Sequence, residues 1–354
     1  MKPVTPEIIN KLKNGNAFLQ KGEITLAKNE FLQVLQCDSE NEFALNLMGL
    51  SCIHESNPEK AVHYLEQALV VNNKDPETYN NLGLAFKDLK QLQQAKNCFE
   101  QSLKLNGQQP VTLNNLGNIH SALEEHRQAA KYFEYALKLQ PNYAEALCNF
   151  AQALKELSVI EIAHQVINKA CQLEPNNSQY LNVRGELYLA MAHYSEAEKI
   201  FKQAISLDNN VVARVNLSTA LKHLAKYEQA ENQLVRVLDV EPNNTEAHNH
   251  LGVLLEQLGR FDEAARCFRS ALEFSPNHAS SFYQLAKLKN HNLTADEIEK
   301  VQDLLSDDNI PSVFRSSLHF ALASCFDKQK QFELALEQYI LGQKIKSQKS
   351  PYNK

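Results

Sequence analysis

The side chains best suited to a chemical task in this chain are amides that recur at a regular spacing. Asn81 and Asn115 each stand directly before a Leu-Gly pair, and equivalent positions follow farther along the chain. An amide offers one acceptor and two donor hydrogens, so it can bridge the N–H and C=O of an extended peptide. A row of amides at a fixed rise would match a peptide main chain, which also repeats. The predicted peptide-binding residues are Asn80, Asn81, Asn114, Asn115, Asn118, Asn149, Gln152, Asn182, Asn216, Asn249 and His250.

Histidine, glycine and cysteine do not form a recognisable catalytic, metal or nucleotide motif in the sequence. His248 and His250 are two residues apart, which on a helix separates their directions by about 200°, so they cannot share a metal. All ten glycines have places in the repeat pattern described below, and no Gly-x-Gly-x-x-Gly or Gly-x-x-x-x-Gly-Lys occurs. We therefore predict a non-catalytic chain that uses no cofactor and no metal.

The elements that must position the amides are indicated by a fixed period. One alanine column recurs every 34 residues, with a single step of 33, and a column of small residues and a column of large apolar residues run in step with it. Such a period is typical of stacked copies of one small unit. The three columns are Ala61, Ala95, Ala129, Ala163, Ala197, Ala230, Ala264; Gly15, Gly49, Gly83, Gly117, Ala151, Gly185, Ser218, Gly252; and Phe31, Leu65, Phe99, Phe133, Ile167, Phe201, Leu234, Phe268.

These columns resemble the tetratricopeptide repeat. The family pattern places an aromatic residue, Leu-Gly and a second aromatic on one helix, then Ala and Phe on the next. In one copy these places hold Tyr79, Leu82, Gly83, Phe86, Ala95 and Phe99. The resemblance implies an all-α fold, a right-handed superhelical solenoid of antiparallel helix pairs. It also implies that the first helices line a concave groove, where the amides would point.

Within one such unit, helical spacing predicts which residues meet where the two helices cross. Leu82, Gly83 and Phe86 lie along one stripe of the first helix, and Ala95 and Phe99 along one stripe of the second. We expect Gly83 to face the Ala95 region, with Phe99 filling the space beside them. A larger residue at Gly83 should overpack this contact.

The pattern predicts five segments along the chain. These are a lead-in at 1–7, eight tetratricopeptide repeats at 8–278, an irregular helical repeat at 279–315, a last repeat or capping helices at 316–349, and a tail at 350–354. The unit that starts near Ser178 is one residue short and closes with Asp208-Asn209-Asn210 where a proline would stand.

The residues from about 286 to 346 resemble the linker repeat of bacterial tetratricopeptide-repeat sulfotransferases. A helix is predicted to begin at Thr294, with Glu297 completing a capping box, and Leu318-His319-Phe320-Ala321-Leu322 follows. In that family a catalytic domain comes next. The resemblance implies an alternative function, in which this chain is the substrate-recruiting region of a larger sulfotransferase, or of a glycosyltransferase.

The amide row allows two interpretations. The repeat domain of O-linked N-acetylglucosamine transferase is similar, with an asparagine ladder that holds substrate backbone. Alternatively, asparagine before Leu-Gly is a family default that solvates a helix. If the ladder binds peptide, we expect alanine at Asn81, Asn115 and Asn149 together to weaken partner binding with nearly unchanged thermal stability. A third reading is a purely structural spacer.

Capture of a carboxylate tail, as in chaperone adaptors of this family, is not expected here. That clamp needs cations, because a carboxylate without them loses its charge-assisted hydrogen bonds. The matching places hold Asn114, Gln179 and Val183.

Composition limits the remaining classes. The net charge of −6 is small for 354 residues and implies neither nucleic acid nor an anionic membrane as partner. No run of 18 apolar residues predicts membrane insertion, and residues 1–13 lack the apolar stretch of a signal peptide. The seven cysteines are widely spaced without a Cys-x-x-Cys pair, which favours a cytoplasmic location. The predicted partner is a protein or peptide, and the sequence leaves the oligomeric state open.

Overall fold

Every regular element of the described chain is an α-helix. The computed structural model describes residues 5–307 and 310–349, and these residues form twenty helices and no strand. The predicted lead-in lies partly, and the predicted tail wholly, outside the described residues. The helices are α1 (Pro6–Gln20), α2 (Ile24–Cys37), α3 (Glu42–His54), α4 (Pro58–Val71), α5 (Pro76–Asp88), α6 (Leu92–Leu105), α7 (Pro110–Ala122), α8 (His126–Leu139), α9 (Ala144–Glu156), α10 (Ile160–Leu173), α11 (Ser178–Ala190), α12 (Tyr194–Asp208), α13 (Val211–His223), α14 (Tyr227–Val240), α15 (Thr245–Gln257), α16 (Phe261–Phe274), α17 (Ala279–Lys287), α18 (Ala295–Ser306), α19 (Ser312–Lys328) and α20 (Phe332–Lys349).

Local signals set where the helices of a pair begin and turn. In α5, the Asp75 carboxylate accepts from the backbone N–H of Thr78 at 3.0 Å, and Pro76 occupies the first turn, where its missing N–H costs nothing. A three-residue link then reverses the chain before α6, and its middle residue, Lys90, has a left-handed φ of 61°. The short link makes α5 and α6 pack as an antiparallel pair.

The same left-handed position recurs in the equivalent link of the other pairs. Glycine tolerates this conformation best, and it occupies the position at Gly22 and Gly259. In the remaining links the residue with positive φ is Ser56, Lys90, Glu124, Ser158, Ala192, Ala225 or Lys330. The turn geometry is therefore imposed by packing of the pair and not by glycine alone.

In each regular pair, the two helices cross at the position equivalent to Gly83, and the core lies at this crossing. A Cβ placed on Gly83 would lie 2.6 Å from the Cε1 atom of Phe99, and Gly117 meets Phe133 in the same way, with a Cβ-to-ring distance of 2.5 Å. The apolar column from Phe31 to Phe268 is buried throughout. The prediction that a glycine lets the two helices approach, with Phe99 filling the space, is confirmed.

The chain divides into two compact units, Met1–Pro175 and Asn176–Lys354. In the first unit, α1 to α10 form five pairs, and each second helix packs on the first helix of the following pair. Consecutive first helices (α1, α3, α5, α7, α9) also contact one another, whereas consecutive second helices make at most marginal contact in the described chain. The first helices therefore line the inner side of this unit.

The second unit begins in the same way, with pairs α11–α12, α13–α14 and α15–α16. Its first repeat is the short one recognised in the sequence. Helix α12 runs for 15 residues, and only Asn209 and Asn210 separate it from α13. Asn209 takes a left-handed φ of 57° and its side chain accepts hydrogen bonds from the guanidinium of Arg214. The two-residue link accounts for the repeat being one residue short. The hydrogen bonds to Asn209 account for an arginine at position 214, where most other repeats carry an apolar residue.

The end of the second unit departs from the regular pairs. Helix α17 has nine residues and packs on α19, and the Lys328 ammonium donates to the carbonyl oxygens of Ala286, Leu288 and His291 at 2.5 to 2.8 Å. The capping box of Thr294 and Glu297 is present at the start of α18, as predicted. Because α19 begins at Ser312, the segment boundary predicted at residue 316 falls inside a helix.

The all-α class and the packing of antiparallel helix pairs are confirmed. The division into five segments stays a prediction. In the part of the chain that the structure describes, none of the helices is long and apolar enough to cross a membrane.

Candidate peptide-binding surface

The amides of the first unit form hydrogen-bonded rungs between consecutive first helices. In each rung, an asparagine two residues before the small-residue position donates from its Nδ2 atom to the Oδ1 atom of an asparagine 35 residues earlier. The three rungs, donor first, are Asn81 to Asn46 at 2.9 Å, Asn115 to Asn80 at 3.1 Å and Asn149 to Asn114 at 3.0 Å. The amide rows therefore link repeats to one another.

Further polar groups hold these amides in place. The Oδ1 atom of Asn80 also accepts from the Thr112 hydroxyl at 3.1 Å, and the Nδ2 atom of Asn114 donates to the Glu145 carboxylate at 3.0 Å. The Tyr143 hydroxyl lies 3.4 Å from the same nitrogen, and burial, with Glu145 beside it, raises the pKa of Tyr143 to about 12. Asn114 itself has no exposed surface. Its amide group is therefore buried and hydrogen-bonded to other side chains of the protein.

The second unit has one comparable rung. Asn216 donates from Nδ2 to Asn182 Oδ1 at 3.0 Å, and both amides also donate to the Glu186 carboxylate, at 3.2 and 2.8 Å. Farther along, the Asn249 Oδ1 atom accepts from the Ser281 hydroxyl at 3.1 Å. These bonds again join first helices of successive repeats.

His250 stands in the amide position of the next repeat and makes a different contact. Its Nδ1 atom lies 3.2 Å from the Thr219 hydroxyl, and its Nε2 atom lies 3.9 Å from the Glu246 carboxylate. Burial lowers the pKa of His250, and it also lowers the pKa of Lys222 on the neighbouring helix. Burial therefore favours the neutral, hydrogen-bonding form of this imidazole.

Two predicted amides, Asn118 and Gln152, differ from the others because the described structure gives their side chains no hydrogen-bond partner. Both are half-buried, and both directly follow the small-residue position of consecutive repeats, on α7 and α9. Leu50 on α3 and Leu84 on α5 are half-buried at the same repeat position. We call these four residues, Leu50, Leu84, Asn118 and Gln152, the inner strip.

The predicted site residues therefore fall into two groups. Asn80, Asn81, Asn114, Asn115, Asn149, Asn182, Asn216, Asn249 and His250 bond to other side chains of the chain, whereas Asn118 and Gln152 do not. The rungs remove the reason to expect unchanged stability when Asn81, Asn115 and Asn149 become alanine, because buried acceptors such as Asn46 would lose their donors.

Residues that sequence reasoning missed are the rung acceptor Asn46 and the supporting hydroxyls of Thr112 and Ser281. A signal for Asn46 was present, since it stands three residues before Gly49 as Asn80 does before Gly83. The described residues contain no group of three or more histidine, cysteine or acidic side chains placed to hold a metal, and none of the seven cysteines forms a disulfide.

Comparison with known proteins identifies the repeated unit. Profiles of the tetratricopeptide repeat match residues 76–108, 110–143, 178–211 and 215–279. No curated protein matches the chain.

Several solved structures share the fold at low identity. A chain of the Cut9–Hcn1 hetero-tetramer of the APC/C is similar with a TM-score of 0.61 and 17% identity, over 74% of this chain and 52% of that one, so the match spans about half its length. A tetratricopeptide repeat protein from Parabacteroides merdae gives a TM-score of 0.56 and 15% identity, over 71% of this chain and all of that one. PilF of Pseudomonas aeruginosa gives 0.52 and 16%, over 59% of this chain and 96% of its own. The helix pairs within these matched residues are tetratricopeptide repeats.

Proposed function

We propose that the chain is a non-catalytic scaffold whose first unit binds an extended peptide along the inner strip. Tetratricopeptide repeats are typical of scaffolds for protein interactions, which supports the general class. The finer assignment, to a peptide and to this surface, is our inference from the side chains on α3 to α9.

The observation that carries the proposal is the pair of uncommitted amides, Asn118 and Gln152. Each is half-buried and thus already partly desolvated, and neither bonds to another described side chain. A peptide main chain supplies one donor and one acceptor per residue, which matches what an amide offers. Asn118 and Gln152 would bond the backbone, while Leu50 and Leu84 would contact apolar side chains of the guest.

The rung amides have a supporting role in this proposal. Buried side chains such as Asn81 and Asn114 would set the spacing of consecutive first helices and so the spacing of the inner strip. A preformed spacing lowers the cost of binding, because the surface is ordered before the peptide arrives.

The experiment uses a peptide selected against the full chain from a displayed random library. Affinity of the selected peptide is measured by fluorescence anisotropy for wild type and for Asn118→Ala/Gln152→Ala. We expect the double variant to raise Kd by about tenfold, because two hydrogen bonds of roughly 0.5–1.5 kcal/mol each are lost. The matched control is Gln94→Ala/Gln101→Ala, which removes two exposed amides from α6 and should leave Kd unchanged.

Recognition of the backbone is tested separately on the peptide. N-methylation of successive peptide amides should weaken binding at the positions that face Asn118 and Gln152. Equal Kd values for wild type and the Asn118→Ala/Gln152→Ala variant would contradict the proposal.

The alternative function, a substrate-recruiting region of a larger sulfotransferase or glycosyltransferase, rests on the sequence resemblance of residues 286–346. The intact mass of the endogenous product tests it. A product that continues past Lys354 into a catalytic domain would favour this alternative over an independent scaffold.

A further inference from the structure

The last described helix, α20, exposes an apolar side that is covered in every regular pair. Tyr339 on α20 stands where earlier second helices carry Phe or another large apolar residue, four residues after the column alanine, Ala335. The members of that column from Phe31 to Phe268 are at most 1% exposed, whereas Tyr339 is 45% exposed. The earlier residues of this column are covered by a neighbouring helix, whereas no described helix covers Tyr339 in that way.

The missing element is the first helix of a following pair. Helix α16, for example, packs on α17, but no described helix follows α20. Phe332, Leu336 and Ile340, at helical spacing along α20, are 64%, 61% and 59% exposed. A solenoid normally ends in a repeat with a polar outer face. An exposed apolar face at the end of the stack therefore indicates a surface that another helix covers.

The surface has a groove as well as an apolar stripe. A groove of about 630 Å³ is lined by Phe320, Tyr339, Ile340, Gln343, Lys344 and Ser347. Large side chains of another helix could enter it, as one helix packs into the grooves of its neighbour elsewhere in the stack.

The charges on α20 indicate which helix fits. Glu333 and Glu337 lie in its first half, and Lys344 and Lys346 lie in its second half. Glu333, Glu337 and Lys344 follow the spacing i, i+4 and i+11, so they lie on one flank of the apolar stripe. All three are exposed, and the described chain provides no ion-pair partner for any of them. Two copies of α20 packed antiparallel would place each acidic half against a basic half.

We propose that α20 is the interface of a symmetric dimer, in which a second copy of this chain covers the apolar stripe of Phe332, Leu336, Tyr339 and Ile340 with its own. A two-fold axis near Ile340 brings Glu337 of each copy beside Lys344 of the other. Such an isologous contact is self-complementary, as two-fold dimers require. The dimer is independent of peptide binding, because the inner strip lies on α3 to α9.

The test begins with the mass of the full chain in solution. Sedimentation equilibrium at micromolar concentrations should give twice the chain mass of 40.1 kDa for wild type. Leu336→Glu/Ile340→Glu should give a single chain mass with an unchanged far-ultraviolet spectrum, because burying two carboxylates in the interface is unfavourable. The matched control is Val70→Glu/Val240→Glu, which places the same charges on exposed positions of α4 and α14 and should remain dimeric.

A charge exchange tests the antiparallel arrangement and keeps the apolar stripe intact. Glu337→Lys and Lys344→Glu should each raise the dimer Kd by about tenfold, since each replaces two attractive contacts by two repulsive ones. The double variant Glu337→Lys/Lys344→Glu should recover the wild-type Kd. A wild-type monomer at all concentrations, or a dimer unaffected by Leu336→Glu/Ile340→Glu, would overturn the proposal, and failure of the double variant to recover would overturn the antiparallel pairing.

Discussion

At the scale of single residues, the repeats are held by pairs of a small and a large side chain 16 positions apart. Five of the small positions are glycine facing phenylalanine, as in Gly83 with Phe99. Where the small residue is larger than glycine, the partner is never phenylalanine: Ala151 stands opposite Ile167 in the pattern and Ser218 opposite Leu234. The two positions therefore compensate each other in volume.

This compensation predicts a specific pair of variants. Gly83→Ala places a Cβ 2.6 Å from the Phe99 ring, so we expect a loss of about 1–3 kcal/mol in the free energy of unfolding. Gly83→Ala/Phe99→Ile recreates the combination found at Ala151 and Ile167. It should be more stable than the sum of the two single effects by more than about 0.5 kcal/mol.

Urea denaturation followed by circular dichroism measures all of these variants. Gly107→Ala is the control, because its added Cβ meets nothing closer than 3.7 Å and should change stability little. Additive effects of Gly83→Ala and Phe99→Ile would show that the two positions are not coupled.

Single residues also show where sequence reasoning reaches its limit. The contact of Gly83 with Phe99 was predictable, because glycine and phenylalanine recur in step across the repeats. Asn115 and Asn118 were indistinguishable as candidate ligands, since both are amides on the same helix. Their difference depends on whether another side chain is near, here Asn80 for Asn115, and that neighbour belongs to another repeat.

At the scale of helices, the rungs make the inner side of the first unit a connected layer. The three rungs join α3 to α5, α5 to α7 and α7 to α9, each through a hydrogen bond between amide side chains whose acceptor is buried or half-buried. A buried acceptor that loses its donor costs roughly 1–3 kcal/mol. The layer thus contributes to stability, in addition to any part it has in binding.

We therefore expect Asn81→Ala/Asn115→Ala/Asn149→Ala to lower the free energy of unfolding by at least about 3 kcal/mol, or about 1 kcal/mol per rung. Denaturant titration measures this loss. Asn118→Ala/Gln152→Ala is the comparison and should stay within about 0.5 kcal/mol of wild type, because these amides have no partner to lose. Equal stability of the triple variant and wild type would contradict a structural role for the rungs.

Helix boundaries were predictable where a local signal decides them. The capping box at Thr294 needs only residues three apart, and the sequence contains both. The left-handed residues in the links were visible only at Gly22 and Gly259. At positions such as Lys90, the packing of the pair overrides the residue's own preference, and no single-residue signal reports it.

At the scale of the whole molecule, contacts are local along the chain. Each helix of the first unit packs on its partner and on helices of adjacent pairs, as expected for a repeat protein whose stability is a sum of neighbouring terms. We expect residues 1–175, expressed alone, to fold with the helix content of α1 to α10 and to unfold in one transition. Circular dichroism and thermal melting measure both properties.

The control for this fragment ends within a pair. Residues 1–158 omit α10 and its buried Ala163, Ile167 and Ala170, so α9 loses its partner. This shorter fragment should melt at a lower temperature than residues 1–175. A fragment 1–175 without helical structure would contradict the local character of the stability.

The repeat architecture was predictable from the whole sequence because eight copies reinforce one another. The resemblance of residues 286–346 to a sulfotransferase linker had no such repetition, and it stays a sequence resemblance. The exposed side of α20 could not be foreseen from its composition, since Tyr339 and Phe268 occupy the same pattern position, yet Tyr339 is 45% exposed and Phe268 is buried.

The rungs join positions 35 apart and the small–large pairs join positions 16 apart, which has a consequence for how the gene can change. Recombination that removed residues 84–117 would bring Asn149 opposite Asn80 and Phe133 opposite Gly83, so every donor would again have an acceptor. A deletion whose length is not a whole number of repeats would shift these partners out of register. The number of first helices in the first unit can thus change in whole repeats while the rungs and the small–large pairs are kept.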